Sequence, residues 1–247
     1  MRPLRALGRT IAFSWTAFEA YLSFLALWAS KRGRVEAKTR AEWLHRWCAK
    51  LLARLGINYQ CDGTPPASGM IICNHVSYLD IFVMSAIVPC AFVAKKEIES
   101  WPLFGAFSYM AGTLFLDRER RSDTQRVGGK LEERLTSGTI VVLFPEGTSS
   151  DGTEVLPFRS SLFEPALSSG AQLTPAHVSY QAADAEVATE IAYWGEMKML
   201  PHVMKLLGKA EIAATVRFGK SLLAAQDRKQ TAIAMHEQVR QLGASKA

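Results

Sequence analysis

The sequence predicts an α/β fold: a largely parallel central sheet of about seven strands covered by helices, with an N-terminal helical pair ahead of it. Three observations predict it. Short apolar runs rich in β-branched residues, such as Met70-Ile71-Ile72-Cys73 and Ile140-Val141-Val142, recur after Ile57 and are separated by segments of helical length. That alternation is the pattern of parallel strands buried on both faces. Of the 247 residues, 49% are hydrophobic and 21% charged, which is enough to bury a full core and too apolar for a disordered chain. Residues 1–56 depart from this rhythm with two long aromatic segments, so the chain divides into an N-terminal part (1–56) and an α/β domain (57–247).

The first segment, Ile11 to Ser30, has Glu19 as its only charge and carries Phe13, Trp15, Phe18, Tyr21, Phe24 and Trp28. As a helix it could just cross ~30 Å of hydrocarbon, and it could also lie in the membrane interface. Arg2, Arg5 and Arg9 precede it and Lys31, Arg32 and Arg34 follow it, so basic flanks give no orientation. Attraction of both ends to one anionic surface favours monotopic or re-entrant attachment over a span, and the expected location is the cytoplasmic face of the inner membrane, held there monotopically or by a single N-terminal anchor. Its length, its aromatics and the lack of a small-residue cleavage site fit a secretory signal peptide poorly.

The second helix is expected over Ala37–Leu55, with Trp43, Leu44, Trp47, Cys48, Leu51, Leu52 and Leu55 at helical spacing. That stripe fits a helix packed on the domain as well as a second membrane-associating helix. Gly56 stops it. Strands follow at Asn58–Cys61, Met70–Cys73, Ala91–Ala94, Leu114–Leu116, Thr139–Phe144, Leu173–Ser179 and Ala213–Phe218. Helices are expected near Tyr78–Ile87, Leu103–Met110, Thr124–Thr136, Ser160–Ser168, Pro201–Leu207 and Arg228–Leu242.

The net charge of +6 favours an anionic partner, without choosing among lipid headgroups, an acidic carrier protein, a phosphorylated substrate and nucleic acid. Cys48, Cys61, Cys73 and Cys90 have no C-x-x-C spacing and the five histidines are scattered, so a reduced, metal-free protein is expected.

Chemistry concentrates in loops at the carboxyl ends of predicted strands, where open α/β sheets place their sites. In NHVSYLD, residues 74–80, His75 follows the Met70–Cys73 strand and Asp80 lies five residues on. An imidazole can take a proton from an alcohol as it attacks, and a carboxylate on its other nitrogen fixes the tautomer. The spacing alone is weak, with roughly 0.14 chance matches in a chain of this composition, and an aspartate also favours a helix's first turn. In LFPEGTSSDG, Glu146 follows the next buried strand, Gly147 allows close approach, and Thr148, Ser149 and Ser150 can offer donors to an anion. A polar turn with a helix cap would look the same. GTLFLDRERR ends a strand in Arg118, suited to bidentate capture of phosphate, although mixed-charge runs are more often solvated surface. Competing motifs fail: Gly147 to Asp151 reads G-x-S-x-D, not the G-x-S-x-G elbow, and Ala214 stands where the P-loop preceding Gly219-Lys220-Ser221 needs glycine.

Together these motifs, in this order over roughly residues 70–180, resemble the glycerolipid acyltransferases of the PlsC type, the 1-acyl-glycerol-3-phosphate acyltransferases and their relatives. NHVSYLD resembles that family's N-H-x-x-x-x-D signature, which implies His75 as general base and Asp80 as its orienting partner. GTLFLDR is similar to the G-x-x-F-I-x-R block and implies Arg118 as a contact to an acceptor phosphate. FPEGT implies Glu146, Gly147 and Thr148 at the acceptor site, and LTPAHVSY implies Pro175 near it. Lys95 in FVAKKE, and Phe158 and Arg159 in LPFRSSLFE, fall where the family has similar residues.

The resemblance implies an O-acyltransferase without cofactor or metal. Its donor would be an acyl thioester of acyl carrier protein or coenzyme A, its acceptor a lysolipid at the membrane surface, with no nucleic-acid partner. A thioester is already activated, so no enzyme nucleophile is needed and backbone donors would stabilise the oxyanion. Lysophosphatidate, giving phosphatidic acid, ranks first on the breadth of the family. One departure bears on this: the family's usual continuation of F-P-E-G-T is R-S, and here Thr148 is followed by Ser149 and Ser150. FPEGTSSDG, VLPFRSSLF and YWGEM also resemble the branch that acylates lyso-ornithine lipid and similar amino-acid lysolipids. A thioesterase using the same dyad with water, and a silent membrane-binding module, are the readings from other classes.

Overall fold

The computed structural model describes residues 2–101, 104–116, 121–224 and 227–244. In chain order it contains α1 (Arg2–Ser30), α2 (Ala37–Leu55), β1 (Ile57–Asp62), β2 (Met70–Cys73), α3 (Leu79–Ile87), β3 (Cys90–Lys95), α4 (Phe104–Ala111) and β4 (Leu114–Leu116). Then come α5 (Arg121–Thr136), β5 (Ile140–Leu143), α6 (Glu164–Ser168), β6 (Gln172–Gln181), α7 (Met199–Leu207), β7 (Ile212–Phe218), β8 (Leu222–Leu223) and α8 (Arg228–Ala244). The strands form one sheet in the order β1-β7-β6-β2-β5-β3-β4, with β8 paired to β6. Every pairing is parallel except β6 with β7 and β6 with β8. The two-residue β8, too short to show a period, is the strand the sequence does not reveal.

The centre of the sheet positions the chemistry. β2 and β5 are buried along their whole length, as strands covered on both faces must be, and they are direct neighbours with Ile72 opposite Leu143. The loops that follow them therefore leave the same edge side by side. On β2's other side Ile72 pairs with Pro175 of β6. A proline within a sheet forfeits a ladder bond, and it is tolerated here because β6 pairs with β8 only through Leu173 and with β7 only from Ala176.

Helix α1 starts well before Ile11 and lies along the body of the protein. Its inner side buries Ala6, Thr16, Ala20 and Phe24. The ring of Phe24 meets that of Trp43 edge-on at 5.1 Å. Polar contacts continue the docking: Trp47 Nε1 donates to Ser23 Oγ at 3.1 Å, and Glu19 is held by Lys50 at 3.0 Å and by Arg54. Those two cations, Arg54 first, pull the Glu19 carboxyl down to about 2.

Arg5 and Arg9 are not left for lipid headgroups. Arg5 donates to Gly208 O at 3.3 Å, and Arg9 donates to Lys209 O at 2.6 Å and to Ala210 O at 3.3 Å. These carbonyls lie just past α7, and Arg9 also donates to Leu207 O at 3.5 Å, one of the end carbonyls that a helix cannot satisfy by itself. Two of the basic residues that precede Ile11 are thus bound to the protein itself. Of the two readings of α2, the structure takes the packed one: Trp43, Cys48, Leu51, Leu52 and Leu55 are buried between α1 and the domain. Gly56 ends it at φ 63°, a left-handed conformation that suits glycine. Residues 1–56 thus share a core with the α/β domain, since Ala6, Leu52 and Leu55 join the cluster that contains Ile71, Val83 and Val142.

The outer face of α1 is exposed and apolar. Leu4, Leu7, Ile11, Trp15, Phe18, Leu22 and Leu25 recur every three or four residues on it, and Trp15 is 57% exposed. Helix α7 runs beside it, with Leu200 and Met204 also exposed and Thr10 Oγ1 3.9 Å from Met204 Sδ.

Candidate active site

Asn74 leaves β2 and extends its pairing without being a strand residue. Its Nδ2 donates to Val178 O at 3.0 Å and its Oδ1 accepts from Val178 N–H at 2.7 Å. A side chain thus replaces the next backbone rung to β6 and turns the chain, so that His75 leaves the sheet edge at a fixed angle.

Asp80 lies in the first turn of α3 and is 1% exposed. Its Oδ2 accepts from His75 Nδ1–H at 2.7 Å, Val76 N–H at 2.7 Å and Ser77 N–H at 3.0 Å, and its Oδ1 accepts from the Tyr180 hydroxyl at 2.5 Å. Four donors compensate burial of the carboxylate. Because an ionised carboxylate only accepts, the His75 proton sits on Nδ1 and Nε2 carries the basic lone pair. The imidazole stacks on Phe144, ring centroids 4.3 Å apart and 16° from parallel, and its side chain is 21% exposed. The spacing read from the sequence is therefore a hydrogen-bonded pair with its basic nitrogen fixed.

Glu146, expected at the acceptor site, is buried at 3% exposure, and its Oε1 accepts the His75 backbone N–H at 3.0 Å. Its Oε2 has no hydrogen-bond partner among the described residues. Burial pushes this carboxyl up to about 8, against the pull of the His75 backbone donor and with a further push from Asp80. Glu146 thus bears on the loop that carries His75 from inside the protein. Ser150 ties the same loop from the other side, its N–H donating to His75 O at 2.8 Å.

Gly147 is buried at φ 78° and its N–H donates to Phe144 O at 3.2 Å, which makes the turn that follows β5. Thr148 is exposed beside it. Arg159 is exposed, and its backbone N–H donates to Pro145 O at 2.8 Å, so LPFRSSLF is anchored one residue from Glu146. Lys95 is exposed at the carboxyl end of β3. Pro175 is buried within β6 and packs below this edge, where the structure gives it a role in the sheet. Arg118 lies outside the described residues.

Several site residues were not assigned a role by sequence reasoning. Asn74, Phe144 and Tyr180 orient the dyad, and only the polarity of Asn74 at the end of a buried strand hinted at it. A further layer comes from Tyr78 inside NHVSYLD. Its hydroxyl donates to His202 Nδ1 at 3.0 Å, and His202 Nε2–H donates to Ala192 O at 2.8 Å. Tyr193 closes this cluster: its ring lies 5.5 Å from Tyr78 and 5.3 Å from His202, its N–H donates to Val76 O at 3.0 Å, and its carbonyl accepts the Ser149 hydroxyl. Among the described residues no group of three or more His, Cys, Asp or Glu is arranged to hold a metal ion. Cys73, beside Asn74, is held far above the usual thiol range by burial and then by Asp80 and Glu146, so it stays a thiol and is no nucleophile.

The structure thus places a hydrogen-bonded His–Asp pair at the carboxyl edge of a mostly parallel sheet. Residues 59–179 match the family described as Acyltransferase. A lyso-ornithine lipid O-acyltransferase of Brucella abortus is 35% identical over 187 residues, which span 70% of this chain and 70% of that protein. A 1-acyl-sn-glycerol-3-phosphate acyltransferase of Neisseria gonorrhoeae is 41% identical over 115 residues, 47% of this chain and 45% of that one. The crystal structure of the 1-acyl-sn-glycerophosphate acyltransferase PlsC from Thermotoga maritima shares the fold, with a TM-score of 0.70 over the whole of both chains at 19% identity. The chain belongs to the PlsC-type family of lysolipid acyltransferases.

Proposed function

We propose that this enzyme moves a fatty acyl group from an acyl thioester, of acyl carrier protein or coenzyme A, to the hydroxyl of a lysolipid at the membrane surface. The observation that carries the mechanism is the buried Asp80 holding the Nδ1 proton of His75. Nε2 takes the proton of the acceptor hydroxyl as its oxygen attacks the thioester carbonyl. The tetrahedral intermediate collapses with loss of the thiolate, which takes the proton back from His75. Asp80 stays ionised and stabilises the transient imidazolium. The net charge of +6 suits the anionic donors.

For the acceptor we infer an amino-acid lysolipid of the lyso-ornithine type in preference to lysophosphatidate. Two supports reverse the ranking from sequence. Ser149 follows F-P-E-G-T where the family resembled usually continues with arginine, a residue suited to phosphate, and a relative that matches over 70% of this chain is a lyso-ornithine lipid enzyme. The exposed apolar face of α1, continued by Leu200 and Met204, supports monotopic attachment to one leaflet, for which we infer the cytoplasmic face.

The test is transfer of a labelled acyl group from thioester to each lysolipid in detergent micelles. His75→Ala is expected to lower acceptor-dependent transfer by about 10³-fold or more. Undiminished transfer by that variant would refute the mechanism, and release of free fatty acid at full rate without acceptor would make the protein a thioesterase.

A further inference from the structure

Ser149 does more than lack a charge. Its hydroxyl holds the Tyr193 carbonyl while Tyr193 N–H holds Val76 O, so one residue is fastened to both catalytic loops. Tyr193 opens YWGEM, and the chain there folds into a turn. Met197 N–H donates to Trp194 O at 3.3 Å, and Gly195 takes φ 59°. The root of the turn is rigid, because Ile191 and Ala192 are fully buried and Ala192 O accepts from His202. Its tip is displayed. Trp194 is 40% exposed with its Nε1–H donated to Ala188 O at 2.8 Å, and Glu196 is exposed with no ion pair to any described residue.

We propose that Trp194 and Glu196 form a subsite for an ammonium group on the acceptor headgroup, and that Ser149 is the positioning residue that sets this subsite against the catalytic loop. This rests on the acyl-transfer reading above and deepens it. A phosphate monoester presents only negative charge and would be repelled by a carboxylate here. An amino-acid headgroup presents an ammonium beside a carboxylate. The ammonium suits a carboxylate and an indole face displayed on one turn, the indole attracting cations through its quadrupole. The headgroup carboxylate then has the exposed cations Arg159 and Lys95 on neighbouring loops of the same sheet edge. An arginine at 149 would place a charge at the fastening point and leave the turn without its short, half-buried tie, so the swap changes both the charge and the shape offered to the headgroup.

The experiment is a competition assay with one acyl thioester and two acceptors, lyso-ornithine lipid and 1-acylglycerol-3-phosphate, read as the ratio of their kcat/KM values. Glu196→Gln and Trp194→Ala are expected to lower the ratio of ornithine to phosphate acceptor about tenfold each, mainly through KM. Ser149→Arg is expected to lower it further, Ser149→Ala to lower it, and Ser149→Thr to retain most of it. Acetylating the side-chain amine of the lyso-ornithine lipid is expected to reproduce the loss in the wild type and to add little in Glu196→Gln. A ratio unchanged in Glu196→Gln, or an acetylated lipid accepted as well as the free amine, overturns the subsite and leaves acyl transfer standing. A wild type that acylates only the phosphate acceptor overturns it too. A wild type without acceptor-dependent transfer would instead fail the reading beneath it.

Discussion

The Glu146 carboxyl sits on the His75 backbone inside the protein, and its raised pKa makes stability depend on pH in a defined direction. Its folded value is about 8 and its ordinary value 4.5, so between these the folded protein holds a proton that the unfolded chain has released. Stability then falls as pH rises through that window and levels above it. His177 works oppositely: burial, then Arg217, lowers it from 6.5 to about 4, so the unfolded chain holds the extra proton and stability rises with pH between those values. At 1.36 kcal/mol per pH unit, the two contributions cancel to within about 1 kcal/mol from pH 4.5 to 6.5. From 6.5 to 8 only Glu146 acts, with a loss of about 2 kcal/mol at the same slope. Urea unfolding followed by tryptophan fluorescence in detergent, at half-unit steps from pH 5 to 8.5, measures this directly. The wild type should show no decline from pH 5 to 6.5, where burial of His202 adds a rise of the same sign as that of His177, and should decline above 6.5, whereas Glu146→Gln, which carries no titratable proton, should stay level there. A wild type that gains stability from pH 6.5 to 8, or a variant with the wild-type decline, would refute the assignment of a raised pKa to Glu146.

Asn74→Ala leaves Val178 N–H and C=O unpaired in a buried site, a cost of about 2–5 kcal/mol that thermal unfolding would register, with activity falling as His75 loses its angle. Phe24→Ala removes the ring packed on Trp43 and is expected to cost about 3–5 kcal/mol, measured by the same unfolding assay. The double variant Trp15→Glu, Phe18→Glu places charges on the outer face of α1 and should reduce co-sedimentation with anionic vesicles severalfold, without a comparable change in unfolding, since both side chains are more than half exposed.

Most elements were legible because burial imposes periodicity. The limits of α2 and β4 agree with those read from the sequence, and in α2 the apolar positions recur at helical spacing over five turns. The short turns at Lys96–Ser100 and Val187–Ile191 were not, because a single turn carries no period. At the site, the pairing of His75 with Asp80, now seen as a hydrogen bond, was legible from spacing backed by family motifs. The placement of Glu146 was not, because an acidic residue after a buried strand reads alike whether displayed or turned inward. The partners of Arg5 and Arg9 were equally hidden: they lie about 200 positions away, and a basic residue beside an apolar run carries no mark of which oxygen it will meet.

The docking of α1 bears on how such an enzyme can be made soluble. Starting the chain at α2 would strip the cover from Phe24's partner Trp43 and uncap the end of α7. Through His202 and Tyr78, that helix in turn supports the catalytic loop. Truncation would thus disable the enzyme while removing the greasy surface. Replacing Leu4, Leu7, Ile11 and Leu25 with polar helix formers alters only the outer face, keeps every inward contact, and is the route by which a detergent-free form would retain its fold.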